Sequence, residues 1–240
     1  MHKYILYTKG LVMIVIVISL YIFSSIKSNS KLIKGISINF IGSNNLFISK
    51  SKVDNLLTQN DEYIACISKD VLDLKALELK ISSNEMIEKS EVYINIDGEL
   101  VIDVKQRKPY ARVIANSSYY IDSNAKKMPL SLDHSARVLL VYGLTNESKI
   151  DKIFKLIKAI YDDEFLSLYV TDVLVATNNE ISLKVRNVDF EVLVGDLNNL
   201  DQKMKNFKVF YQKAYKDGIL KNYKKVNLQY NNQVVCTKNI

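Results

Sequence analysis

The chain has 240 residues, 48% of them hydrophobic, which is enough for one large core or two small ones and excludes a disordered polymer. Seven glycines and two prolines are too few for long linkers, and charged residues alternate with Val, Ile, Leu and Tyr as in ordered elements. The net charge of +7 comes from scattered lysines without an aromatic and basic stacking motif, which speaks against a nucleic-acid reader.

Taken in chain order, residues 1–9 form a short basic tail and residues 10–26 carry no charge between Lys9 and Lys27. Leu11 to Leu20 is nearly all Leu, Ile, Val and Met, with Tyr4, Tyr7 and Tyr21 placed to flank it. The expectation is a single transmembrane helix at 10–26, kept as an anchor because no A-x-A cleavage site follows. Lysines on both sides nearly cancel the charge rule for orientation. Architecture, with a short tail before the span and a folded mass after it, predicts a type II protein in the cytoplasmic membrane with its bulk outside.

Residues 27–108 read as a βααββ unit. Ile36, Ile38 and Phe40 alternate as in a strand, Ser49 caps a helix carrying Val53, Leu56 and Leu57, and a second helix carries Leu74, Leu77 and Ile81. Val92, Ile94 and Ile96 then alternate up to Asp97-Gly98, and Leu100, Ile102 and Val104 alternate after it, which predicts a hairpin. Arg107, Lys108 and Pro109 mark the junction, read as a rigid turn.

Residues 109–240 predict an α+β sheet domain. Ile150, Ile153, Phe154, Ile157, Ile160 and Tyr161 share one face of a helix over 148–165. Strands follow at Val170 to Thr177, Ile181 to Val185 and Phe190 to Val194, then a helix from Leu197 to Tyr215 that buries Leu200, Met204, Phe207 and Tyr211. A last strand is expected at Gln233 to Thr237. Cys66 and Cys236 lie in apolar runs without metal-ligand spacing, and two buried thiols are expected in preference to a disulfide.

No catalytic constellation emerges. His2 lies in the basic tail and His134 follows Asp133 in a loop, while Asp162-Asp163 and the pair Glu191 and Asp196 read as solvated helix-end and strand-edge carboxylates. No nucleophile-elbow, zinc-helix, P-loop or dinucleotide motif occurs, so no enzyme activity, cofactor, metal or small-molecule substrate is expected.

Several pieces of wording, in order, resemble a known family. They are Phe47-Ile48-Ser49 before Val53-x-x-Leu56-Leu57, Ile87-x-x-x-Glu91-Val92-Tyr93-Ile94, Asp97-Gly98-x-Leu100, and Val104-x-Gln106-Arg107-x-Pro109. In the second half come Tyr119-Tyr120-Ile121-Asp122, Met128-Pro129-Leu130-Ser131, Ala136-Arg137-Val138, Val226-Asn227-Leu228-Gln229-Tyr230 and the stretch from Asn232 to Lys238. Together they resemble the cell-division family FtsQ/DivIB in its Bacteroidetes form, over essentially all of the chain after residue 30. The family tends to have glycine in the turn after Tyr-Tyr-Ile-Asp, where this chain has Asn124-Ala125; Asn124 is expected to take the left-handed conformation.

The resemblance implies an N-terminal single transmembrane helix, a POTRA docking domain at 27–108 and a C-terminal mixed α/β domain at 109–240. It implies a divisome scaffold at the septum that recruits FtsB/FtsL-type partners and acts on septal peptidoglycan synthesis. The alternative is a POTRA-bearing component of envelope protein assembly or secretion, which would carry several such units and a barrel. If the family's use of its C-terminal strand holds, that strand pairs with a partner by β-augmentation. Val234 and Cys236 then face the core, and Asn232, Gln233, Val235 and Thr237 meet the partner with Tyr223 and Tyr230 as aromatic anchors.

Overall fold

Alternation along the strands and the spacing of apolar residues on the helices build two separate cores. The computed structural model describes residues 2–29, 32–42, 45–58, 72–144, 146–230 and 233–239. The chain divides into two compact units, Met1–Gln106 and Arg107–Ile240.

The chain opens with α1 (His2–Asn29), whose apolar side chains from Leu11 to Phe23 are exposed. Among the described residues no helix is long and apolar enough to cross a membrane, which corrects the expectation of a transmembrane helix at 10–26. The physical reason is length: the uncharged stretch between Lys9 and Lys27 covers about 26 Å as a helix, against a hydrocarbon core of about 30 Å. The type II topology loses the helix it rested on.

The rest of the first unit is a three-stranded sheet with two helices. Its elements are β1 (Ile36–Ile41), α2 (Lys50–Thr58), α3 (Leu74–Ser82), β2 (Ile87–Ile94) and β3 (Leu100–Gln106). β3 lies in the centre, parallel to β1 and antiparallel to β2. Ile102, Val104, Val53, Ile81 and Ile87 are fully buried where the sheet meets the helices. Asp73 starts α3 by accepting a hydrogen bond from the Ala76 amide at 2.9 Å. The hairpin turns one residue earlier than the alternation suggests. Asn95 accepts from Gly98 and its own amide donates to Glu99, so Ile96 sits in the turn, fully exposed.

The second unit is built on a nine-stranded sheet. Its strands are β4 (Pro109–Ile114), β5 (Tyr119–Asp122), β6 (Lys127–Met128), β7 (Leu139–Tyr142), β8 (Val170–Val175), β9 (Ile181–Val185), β10 (Glu191–Gly195), β11 (Tyr223–Asn227) and β12 (Val235–Lys238). In space the order is β12-β11-β10-β9-β8-β7-β4-β5-β6. β7 runs parallel to β4 and to β8, and β10 parallel to β11, so the sheet is mixed. One register row joins Cys236, Val226, Val192, Leu183, Val173, Val141 and Val113 across seven strands. The six inner members are all fully buried.

This row is covered by α4 (Ile150–Asp162) and α6 (Leu200–Lys216). α4 buries Ile150, Ile153, Leu156, Ile157 and Ile160, while Phe154 and Tyr161 are half-buried. The single helix expected over 148–165 is three pieces: a 3-10 turn at Glu147–Lys149, α4, and α5 (Glu164–Tyr169). Asp163 is extended (φ −98°, ψ 120°) and ends the first helix while capping the second through the Leu166 amide.

Candidate functional site

The described residues among the site residues expected from the sequence lie around the end of the nine-stranded sheet. β12 occupies its edge and pairs antiparallel with β11, matching Asn227 with Val235, Val226 with Cys236 and Lys225 with Thr237. No strand lies on the other side of β12 among the described residues. An edge of this kind presents backbone N–H and C=O groups that another strand can pair with.

Alternation decides which side chains the edge shows. Val234 and Cys236 pack against the core, and Val235 (42% exposed) and Thr237 point away from it. Burial pushes the Cys236 thiol up from its ordinary pKa, so it behaves as a small apolar side chain. Cys66 lies outside the described residues, as does Asn232. Gln233 is exposed and precedes the strand, which begins two residues later than expected.

The two tyrosines part company. Tyr230 is 51% exposed beyond β11. Tyr223 is half-buried, its ring edge-on to Phe210 at 5.4 Å, and so is part of the packing beneath the edge.

Three features that the sequence reading missed hold this edge. Asn239 ties down the last strand: its amide nitrogen donates to the Asn222 carbonyl at 2.8 Å and its side chain to the Lys221 carbonyl at 2.9 Å. Gly195 (φ +71°) leaves room for the Gln229 side chain, which would lie 2.4 Å from an added Cβ. Lys224, Lys225 and Lys238 are exposed and give the edge a positive fringe. Adjacent lysines in a strand were the available signal, because they discourage edge-to-edge aggregation while leaving acidic partners free to approach.

Of the four carboxylates weighed as acid/base pairs, Asp163 and Asp196 have structural partners. Asp163 accepts from the Leu166 amide and from Lys208 at 2.9 Å. Asp196 accepts from Lys203 at 2.7 Å, and that buried ammonium also donates to the Val194 and Asp196 carbonyls. Among the described residues no group of three or more His, Cys, Asp or Glu is placed to hold a metal ion.

The second unit is thus a mixed α+β sheet domain that ends in an edge strand, with α4 and α6 packed over its buried row. The chain belongs to the FtsQ/DivIB, C-terminal related family, whose model matches residues 108–237. That membership supports a role in cell division at the septum and, coarsely, a role that is not enzymatic. No curated protein matches the chain.

Proposed function

We propose that this chain is a divisome scaffold that holds FtsB/FtsL-type partners through the edge strand β12 and thereby influences septal peptidoglycan synthesis. The observation that carries this reading is the position of β12 at the end of the sheet, with Val235 and Thr237 outward and no strand on its outer side among the described residues. The partner adds a strand or a short extended segment there. The lysine fringe favours a segment carrying acidic residues. The βααββ unit of the first half is the POTRA domain of this scaffold and supplies a second docking surface.

The test is retention of an FtsB/FtsL-type partner on the immobilised full chain. Val235→Glu with Thr237→Glu places like charges against an acidic partner without touching the core. A drop in retention of at least about tenfold is expected. A chain ending before Tyr230 is expected to lose the partner altogether. Undiminished recovery with both changes sinks the edge-strand reading, and cells that divide normally after depletion sink the division reading.

A further inference from the structure

We propose that a further docking site in the second unit, for an acidic and apolar segment of a partner protein, lies in the cleft at the N-terminal ends of β7 and β8. The cleft encloses about 440 Å³, within the ordinary range of ligand clefts. Its floor is apolar, made by residues such as Leu140, Ile160 and Val170. One wall is a pair of stacked rings, Tyr110 and Tyr161, with centroids 3.8 Å apart and planes within 9°. Lys108 lies over the Tyr161 ring.

Two exposed guanidiniums, Arg137 and Arg186, border this floor. Neither has an ion-pair or side-chain hydrogen-bond partner among the described residues, and no carboxylate lines the cleft. An apolar hollow flanked by two unpaired guanidiniums suits an anion carried on an apolar body, because each guanidinium forms charge-assisted bonds to carboxylate oxygens.

The backbone favours a peptide as that body. Arg137 and Val138 both line the cleft, lie just before β7, and make no backbone hydrogen bond among the described residues. Peptide groups without a partner in the protein, beside an apolar hollow, can pair with the backbone of another peptide, which lipid chains cannot do. The site is separate from the strand edge and does not depend on that reading. β7 is five strands from β12, which at about 4.8 Å per strand is roughly 24 Å.

The probe is a short acetylated and amidated peptide alternating glutamate and leucine, dye-labelled and titrated against the full chain by fluorescence anisotropy. Saturable binding is expected, weakened at least about tenfold by Arg137→Gln with Arg186→Gln and equally by a peptide with glutamine in place of glutamate. Both arginines are exposed, so thermal unfolding of this variant should match the parent. The control is Lys152→Gln with Lys155→Gln, which removes charge from a different cleft and should leave binding unchanged. The proposal is overturned by absence of saturable binding, or by equal loss in both double variants, which indicates unspecific charge attraction. It is also overturned if phosphatidylglycerol vesicles bind through Arg137 and Arg186 while the peptide does not.

Discussion

Asp122 meets three demands with one carboxylate. It is fully buried, accepts from the Asn124 and Lys126 amides at 2.8 Å each through Oδ1, and receives Arg107 at 2.6 Å through Oδ2. The motif that ends in Asp122 and the Arg107 of the junction are therefore two halves of one contact, closing the turn between β5 and β6. Asp122→Ala strands a guanidinium that is only 14% exposed and should cost about 3–5 kcal/mol, read as a lower urea midpoint. The left-handed residue of that turn is Ala125 (φ 60°), not Asn124 as the sequence suggests. Ala125→Gly should therefore raise stability by about 1 kcal/mol, since glycine adopts this conformation without the strain that an alanine Cβ meets. Lys203 was unreadable for a related reason: a lysine on the buried face of α6 looks like a flaw until its three acceptors are seen.

At the scale of elements, the break between α4 and α5 shows what periodicity conceals. Ile150 to Tyr161 and Phe165, Leu166 and Tyr169 continue one apolar pattern, and nothing in that pattern announces a corner at Asp163. The signal was the acidic pair itself, since Asp is a frequent N-cap. Burial raises the Asp163 carboxyl, but the Leu166 amide and the Lys208 ammonium outweigh it and leave the pKa below the usual carboxylate value. A depressed folded-state pKa stabilises above the unfolded value, about 3.9, and the contribution is lost as pH falls through the folded one. Asp163→Asn should accordingly flatten the loss of stability below about pH 4 while keeping the cap; an unchanged acid limb of the stability profile contradicts this account. Strands with strict alternation, such as β9, were legible, whereas the two-residue β6 and the lysine-rich β11 gave no apolar period to read. At the edge strand the alternation of Val235 and Thr237 was legible, but not Asn239 or Gly195, whose roles depend on residues distant in the fold.

On the scale of the whole molecule, every strand pair joins members of the same unit. β1, β2 and β3 close one sheet, and β4 to β12 close the other. The two buried clusters are likewise distinct, one centred on Ile81, Ile102 and Val104 and the other on the row from Val113 to Val226. Cooperativity follows shared packing, so each cluster should unfold on its own. Ile81→Ala opens a cavity in the first cluster and should cost about 2–5 kcal/mol there, while Asp122→Ala weakens only the second. Urea unfolding of the full chain, followed by amide signals assigned to each half, should move one set of midpoints per variant and leave the other in place. Fragments 32–106 and 107–240 expressed separately should each give dispersed amide spectra. If both variants shift both halves together, or either fragment gives a collapsed spectrum, the clusters form one cooperative core, and the partner edge cannot be treated apart from the first unit.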